Sequence, residues 1–182
     1  MLVKDIIKLT CKLLDKNQLA EKIDSDNLGE EELKEVENLV NSFNLIHDEI
    51  STELLPIVKI EKIKTQNLKI SFSQLSNQPV SILAVKDSCG RTVRHKVLND
   101  SIIAFANEVE IWYSCKPETL SINAEISSTL PERVYAYGVA REFYINKSLY
   151  SDAEVWEERF KNSIEMLSPK KSGRRVPRRR WL

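Results

Sequence analysis

Histidine is the side chain that most often combines acid–base and metal-binding chemistry, and this chain has two. His47 and His95 are far apart in sequence, and neither has a carboxylate or a cysteine at the spacing of a metal site. His47 falls on the apolar stripe of a predicted helix, where a histidine is typically a core or interface residue. His95 alternates with two valines on a predicted strand. We therefore predict structural roles for both histidines and no metal site.

Nucleophilic chemistry has equally little support. Cys11, Cys89 and Cys115 are odd in number and widely spaced, which indicates reduced thiols in an intracellular protein. The four glycines form no phosphate-binding loop. The pair Glu157-Glu158 and the run of glutamates at 30–32 are typical of solvated helix faces. A nucleophile and a base that only folding brings together remain an alternative, because catalytic triads are assembled from distant parts of a chain. The sequence predicts no catalytic residue, no cofactor and no enzymatic activity.

The C-terminal stretch is the most distinctive chemical feature. It combines clustered arginines with a terminal aromatic and an aliphatic residue: Arg174, Arg175, Arg178, Arg179, Arg180, Trp181 and Leu182. One interpretation is a solubilising end. A second is nucleic-acid binding, in which arginines contact phosphates and tryptophan stacks on a base. A third is a docking peptide, because Trp and Arg are enriched at interface hot spots.

Charge is distributed unevenly along the chain. Residues 168–182 carry seven basic and no acidic residues, which leaves 20 basic against 27 acidic residues elsewhere, a net charge of −7. This stretch has too little apolar surface to build a core, so we predict an extended basic arm that is disordered in the free monomer. Charged residues interrupt the N-terminal stretch, so the sequence does not predict a signal peptide. Every apolar run is shorter than a membrane-spanning helix requires, so it does not predict a membrane span either.

Two helices are predicted between residues 129 and 167. Thr129 with Glu132 and Ser151 with Glu154 each fit a capping box, and Pro131 suits a first helical turn. The break at 146–150 is short, so the two helices should fold back as an antiparallel pair. The second helix has a single apolar stripe, which is typical of an amphipathic helix: Ala153, Trp156, Phe160, Ile164 and Leu167.

The first of these helices is apolar almost all round, which is typical of a helix buried on most sides. Gly138 in its middle costs about 1 kcal/mol against alanine, which a closely approaching helix would offset. One interpretation is a central core helix. The other is that part of its surface packs against another copy of the protein, through Tyr137, Gly138, Arg141 and Tyr144.

Two further helices are predicted at the N-terminal end. Residues 2–17 place apolar side chains at helical intervals with lysines between them, and residues 24–29 are turn-like. A second helix begins with the glutamates at 30–32, which favour the positive end of the helix dipole. Pro56 ends it, because the residue before a proline is pushed out of the helical region.

Between residues 57 and 115 the hydrophobic period changes to two, which indicates five or six short strands. Turn sequences at 87–90 and 99–100 join antiparallel strands, and the lack of intervening helices predicts a meander in a sheet or small barrel. The predicted fold class is α+β: a four-helix assembly with an inserted antiparallel β module. The predicted domains are a helical domain at 1–56 and 116–167, the β module at 57–115 and the arm at 168–182.

Several segments in this order resemble the head-to-tail adaptor proteins of tailed bacteriophages, a group that includes the tail tubular A proteins of short-tailed phages. The resemblance covers nearly the whole chain and rests on Tyr113-Ser-Cys-Lys-Pro117, Leu130-Pro-Glu-Arg-Val134, Tyr137-Gly-Val-Ala140, then Tyr150, Ala153, Trp156 and Arg159-Phe160, and the basic end Arg174-Arg-Val-Pro-Arg-Arg-Arg-Trp181. The order of two helices, a β insertion and two helices agrees with it.

The resemblance implies a structural virion protein rather than an enzyme. Such proteins form a ring, expected to be a dodecamer, between the portal protein and the tail tube or nozzle protein, and DNA passes through the ring without sequence-specific binding. The expected location is the neck of the virion, and the host cytoplasm during assembly, with no membrane partner. The alternative is a DNA-binding or DNA-packaging accessory protein that uses the basic C-terminal tail. The net charge of −7 outside that tail counts against it, since duplex binding usually relies on a folded basic face.

Overall fold

The structure is a computed structural model and describes residues 1–25, 28–65 and 67–167. The predicted α+β class is confirmed. The described residues form five α-helices and six strands: α1 Val3–Leu13, α2 Asn17–Ser25, α3 Glu30–Glu49, β1 Ile57–Lys64, β2 Lys69–Ser71, β3 Pro79–Lys86, β4 His95–Val97, β5 Ser101–Ala104, β6 Glu108–Cys115, α4 Glu132–Asn146 and α5 Tyr150–Leu167.

The contacts divide the chain into two compact units. The first unit is Met1–Asn27 with Glu125–Leu182, and the second is Leu28–Ala124. The sequence-based division followed the change of hydrophobic period, whereas the contacts group α3 with the strands. The domain boundaries at 56 and 116 stay a prediction, as does the packing of helices from both ends of the chain into one assembly.

The N-terminal region has three helices where the sequence predicted two. Asp15 adopts a positive φ of 59° and ends α1. The Lys16 amide donates to the Cys11 carbonyl at 2.8 Å and the Asp15 amide to the Lys12 carbonyl at 3.2 Å, which are the two hydrogen bonds of a Schellman motif. The predicted helix at 2–17 is therefore too long, and a separate short helix, α2, follows. Its buried residues, Leu19, Ala20 and Ile23, are too few for a clear helical period.

In the first unit, α1 packs against α2 and α4, and α4 packs against α5. The first residue also contacts the segment before α4: the Met1 amino group donates to the Ile126 carbonyl at 3.1 Å, and the Ile126 amide donates to the Met1 carbonyl at 2.9 Å. The predicted antiparallel pair of C-terminal helices is confirmed by a short link at 147–149, where Ser148 has a φ of 58° and closes a second Schellman motif.

Both predicted capping boxes in this region are wrong. The N-cap of α4 is Pro131, without a side-chain hydrogen bond, and Ser151 lies inside α5. Ser128 instead organises the start of α4: its hydroxyl oxygen accepts hydrogen bonds from the Leu130 amide at 3.1 Å and the Tyr135 hydroxyl at 2.9 Å.

The second unit begins with α3, which continues into a π-helical turn at Ile50–Leu54. The Leu55 amide donates to the Ile50 carbonyl at 2.7 Å, and Leu55 then leaves the helical region with φ −133° and ψ 76°. The predicted end of this helix before Pro56 is confirmed. Gly29 is its N-cap, and its amide donates to the Glu32 carboxylate at 3.0 Å.

The predicted antiparallel β module is confirmed, but the predicted meander is wrong. The six strands form two three-stranded sheets with the orders β1-β6-β3 and β2-β5-β4. Among these strands only β4 and β5 are both consecutive and paired. Alternation predicts which face of a strand is buried but not which strand becomes its neighbour. The two sheets enclose a core of Ile70, Leu75, Val85, Ile102, Ala104, Val109, Ile111, Tyr113 and Cys115.

Both predicted turns lie where expected. The Gly90 amide donates to the Asp87 carbonyl at 2.9 Å, and Gly90 has a φ of 77°, a conformation that favours glycine. The Asp87 carboxylate accepts from the amides of Cys89 and Arg91 at 2.9 and 2.8 Å. The turn at 99–100 joins β4 to β5, with the Leu98 amide donating to the Ser101 carbonyl at 2.8 Å.

Candidate assembly surfaces

The four residues predicted for subunit packing lie on α4, and the structure shows what they contact within the chain. The Tyr137 ring lies 5.8 Å from the Trp156 ring of α5. Gly138 is buried, and Tyr144 meets Phe143 edge to face at 5.5 Å. Tyr135 and Val139, which share a face of the helix with Gly138, are only 1% and 0% exposed. This burial favours the core-helix interpretation for the first three turns of α4; the subunit-packing role of the four residues stays a prediction.

Arg141 is the electrostatic centre of the helix pair. Its guanidinium donates to Glu157 of α5 at 2.7 Å and to Glu142 at 3.0 and 2.8 Å, while its side chain is only 12% exposed. The guanidinium also lies over the Phe160 ring at 5.3 Å. A cation held this deeply needs carboxylate partners, because an unpaired buried charge is strongly unfavourable. Arg141 therefore couples α4 to α5 through charge as well as through packing.

Glu157 completes this cluster from α5. Burial raises the pKa of its carboxyl, but hydrogen bonds from Lys161 and Arg141, together with their positive charges, outweigh burial and lower the pKa below its usual value. The Lys161 ammonium lies 2.6 Å from the carboxylate, one helical turn further along α5. Glu157 is thus ionised at neutral pH and belongs to an internal ion-pair network, which differs from the solvated face predicted for it.

Part of the exposed apolar surface of the helix pair lies at its closed end, where the 147–149 link joins α4 to α5; Val155, Met166 and Leu167 are exposed elsewhere on α5. Ile145, Leu149 and Tyr150 are 38%, 45% and 64% exposed. They border the 147–149 link, where Lys147 lies over the Phe143 ring at 4.3 Å. Sequence reasoning missed this surface because it followed the stripe of each helix separately. The signal was the apolar pair Leu149-Tyr150 inside a predicted connection.

The two histidines, for which structural roles were predicted, each contact a residue close to them in the sequence. His47 of α3 is half-buried and stacks on Phe43, with ring centroids 5.8 Å apart. Burial lowers its pKa, and the negative charge of Asp48 only partly offsets this. In β4 the His95 Nδ1 lies 3.0 Å from the Val93 carbonyl oxygen. Cys11 and Cys115 are buried free thiols, and Cys89 is an exposed one.

A hydrogen-bond network in the second unit joins β1, β6 and the segment before β3. The Tyr113 hydroxyl donates to the Glu61 carboxylate, which also accepts from the Ser76 amide at 3.1 Å. Burial opposes ionisation of Glu61, but these hydrogen bonds outweigh it and lower its pKa. Burial, and then the bond to Glu61, raise the pKa of Tyr113 to about 12. The network holds one loop against the inner face of the sheet.

Two depressions open on the second unit. One, of 330 Å³, lies beside the 87–90 turn and is lined by Lys62 and the carboxylates of Asp87, Glu108 and Glu110. The other, of 260 Å³, lies between α3 and residues 116–119 and is lined by Asn41, Asn44, Leu45 and Asp48. Within residues 1–25, 28–65 and 67–167, no group of three or more His, Cys, Asp or Glu side chains is placed to hold a metal ion.

The predicted partner-docking residues lie outside the described residues: Arg174, Arg175, Arg178, Arg179, Arg180, Trp181 and Leu182. Their role stays a prediction from the sequence.

Across the part of the chain that the structure describes, no helix has the length and apolar character needed to cross a membrane. No protein-family model matches the chain, and no curated protein matches it either.

Proposed function

We propose that this chain is a structural protein of a tailed bacteriophage, a head-to-tail adaptor that forms a ring between portal and tail. The observation that carries the proposal is the order of elements along the chain: N-terminal helices, an antiparallel β module and two C-terminal helices. The N-terminal helices number three, α1 to α3, where the resemblance implies two. Residues 113–115 are the end of β6, residues 116 and 117 follow it, and the buried residues of α4 lie within 134–140. The proposal includes one helical assembly built from both ends of the chain, with the β module inserted in it.

Charge supports the docking role given to the arm at 168–182. The exposed residues of α5 carry an excess of negative charge: Asp152, Glu154, Glu158 and Glu165 are acidic, and Arg159 and Lys161 are basic. The arm carries seven basic residues and no acidic ones. Opposite charges on two surfaces steer and orient their encounter. The arm of one copy thus has an acidic counterpart on a neighbouring copy, and the portal is the other candidate receptor.

A ring requires a heterologous interface whose rotation closes. The exposed apolar residues at the closed end of the α4–α5 pair, Ile145, Leu149 and Tyr150, supply surface for such a contact. In the assembled neck the partners are portal, tail tube or nozzle protein and further copies of this chain, a dodecamer by the resemblance. DNA transits the channel, where an acidic wall disfavours sticking. The protein acts without catalysis, in the virion and in the host cytoplasm during assembly.

Co-sedimentation with purified portal tests the proposal, using full-length protein and a variant that lacks residues 174–182. We expect truncation to abolish portal binding or ring formation and Trp181→Ala to reproduce much of that loss, because buried aromatics dominate interface affinity. Arg179→Lys is the matched control. It keeps the charge and should be milder unless the native contact is bidentate.

Duplex DNA is the parallel bait, because the arginine cluster also favours a DNA-binding or DNA-packaging accessory role. A DNA binder loses affinity steeply as salt rises, in proportion to the number of phosphates it contacts. If truncation leaves portal binding intact but removes salt-sensitive DNA binding, the adaptor proposal is wrong and the accessory role replaces it. Negative-stain images of the full-length protein supply the second readout, which is the presence of rings.

A further inference from the structure

The two outer strands of the β1-β6-β3 sheet differ in how their free edges are protected. β3 begins at Pro79 and has register irregularities at Pro79/Ser81 and Ile82/Ala84, which are β-bulges or similar breaks. The turn at 87–90 also folds the chain back over its end, where the Val93 amide donates to the Val85 carbonyl at 2.8 Å. Proline, bulges and covering segments are the devices by which proteins block edge-to-edge pairing.

In the part of the chain that the structure describes, β1 has no proline, bulge or covering segment, and its lysines are its edge protection. It pairs with β6 in an uninterrupted register over eight positions, from Ile57 opposite Cys115 to Lys64 opposite Glu108. It contains no proline or glycine, and within the described residues it has no second strand partner. Its outer side chains include Val58 and Ile60, which are 45% and 50% exposed. A long, regular, partly apolar edge of this kind is a template for another strand.

The sequence of β1, Ile57-Val-Lys-Ile-Glu-Lys-Ile-Lys64, is complementary to itself in one antiparallel register. With Ile60 opposite Ile60 of a second copy, Lys59 lies opposite Glu61 twice and Ile57 opposite Ile63 twice. Val58 lies opposite Lys62 twice, a pair that neither matches nor repels. Cross-strand pairs of opposite charge and of apolar side chains stabilise a sheet, and like charges placed opposite each other destabilise it.

Neighbouring registers lose this match. A shift by two residues places either Lys59 opposite Lys59 or Glu61 opposite Glu61. A shift by one residue brings the exposed face of one strand beside the inner face of the other. The lysines of β1, which protect an edge against indiscriminate pairing, therefore select a single register.

We propose that the free edge of β1 pairs with β1 of a second copy about a two-fold axis at Ile60, so that two three-stranded sheets join into one of six strands. Such a contact is isologous and closes at two copies, so it is distinct from the heterologous contact that a ring requires. The pairing is a property of this chain alone. It holds or fails independently of portal binding.

Disulfide trapping on the full chain tests the register. In a Cys89→Ser background, which removes the exposed native thiol, Ile60→Cys should give a covalent dimer under mild oxidation, because the two cysteines face each other directly. Val58→Cys and Lys62→Cys are matched controls on the same face of the same strand. Each alone lies about 13 Å along the strand from its equivalent and should not cross-link, whereas an equal mixture of the two should.

Sedimentation velocity supplies the second measurement. Ile60→Lys places two ammonium groups opposite each other and should raise the dimer dissociation constant roughly tenfold or more. Ile60→Glu should do the same, and mixing the two variants should restore the dimer. Unchanged thermal unfolding of both variants at low concentration shows that they fold. The proposal is overturned by a monomer at all concentrations, by Val58→Cys cross-linking alone as readily as Ile60→Cys, or by occupation of the edge by the chain's own residues 168–182, which removal of that arm would reveal by inducing the dimer.

Discussion

Asn44 of α3 holds the backbone of Leu120 by hydrogen bonds in both directions. Its side-chain oxygen accepts from the Leu120 amide at 2.9 Å, and its side-chain nitrogen donates to the Leu120 carbonyl at 3.0 Å. The same nitrogen donates to the Val40 carbonyl at 3.1 Å. A single amide side chain thus satisfies the backbone of the segment that leaves β6 and fastens it to α3.

Asn44→Ala should destabilise the second unit by about 1–3 kcal/mol, because it leaves part-buried backbone groups of Leu120 without their partners. Hydrogen exchange at the Leu120 amide should accelerate more than exchange in the sheet core. Asn41→Ala, at an exposed position of the same helix, is the control and should change both quantities little. Equal effects of the two substitutions would show that Asn44 does not fasten this segment.

Tyr113→Phe should lower the free energy of unfolding by about 1.5–3 kcal/mol at neutral pH, because the lost hydrogen bond has a charged acceptor. The folded-state pKa of Glu61 is depressed, so the stability from its ionisation is present above its unfolded pKa of about 4.3 and is lost as pH falls through the folded pKa. The difference between wild type and variant should therefore shrink below about pH 4.

Tyr135→Phe is the matched control for this pH dependence. Tyr135 is also buried, but its hydroxyl donates to the neutral Ser128 hydroxyl at 2.9 Å. Its substitution should cost a similar or smaller amount that does not vary between pH 3 and 7, roughly the range over which carboxylates titrate. Urea denaturation across this range measures both variants. A Tyr113→Phe effect that is constant with pH would contradict the charged-acceptor argument.

Arg141→Met should destabilise the first unit by about 3 kcal/mol, the lower end of the range for breaking a buried ion pair. The lower end applies because Glu157 is 29% exposed and keeps Lys161 as a partner. The double variant Arg141→Met/Glu157→Met should recover part of the loss, since it leaves fewer unpaired charges. Lys161→Met removes a 66% exposed partner and should cost at most about 1 kcal/mol. Guanidinium denaturation of all three would reveal whether Arg141 couples the helices.

Gly138→Leu should cost roughly 1–3 kcal/mol through overpacking, because Gly138 is buried in α4. Gly138→Ala is the control. It gains up to about 1 kcal/mol of helix propensity if its methyl group finds room. Thermal unfolding and native-state size should be measured together. A Gly138→Leu protein with an unchanged melting temperature and unchanged assembly would mean that glycine is merely tolerated at this position.

Much of the secondary structure could be predicted, and the errors lie at the ends of helices. The ends of α1 and α4 depend on Asp15 and Ser148 in left-handed conformations, which neither residue type signals as glycine would. The Ser128 contact with Tyr135 replaced the capping box predicted from Thr129 and Glu132. At the start of α4 a local motif fitted the residues, but Ser128, outside that motif, makes the hydrogen bonds that the structure shows.

The candidate surfaces were harder to predict than the helices. The role of Arg141 required α5 to bring Glu157 within 2.7 Å, sixteen residues along the chain. The free edge of β1 emerged only once β6 had taken its other side and the breaks in β3 were visible. The arm at 168–182, by contrast, was recognised from composition alone, because clustered arginines with a terminal tryptophan need no fold to be conspicuous.

The sequence by itself determined the change from helical to two-residue period and back, and with it the α+β class and the place of the β module. These properties depend on which side chains recur at short intervals, so they can be read locally. Only the tertiary structure decided that Ile57 pairs with Cys115, that α3 groups with the strands, and that Tyr113 meets Glu61. Those choices depend on which apolar faces can be buried together and which polar groups then find partners. That is a property of the whole chain in three dimensions rather than of any one segment.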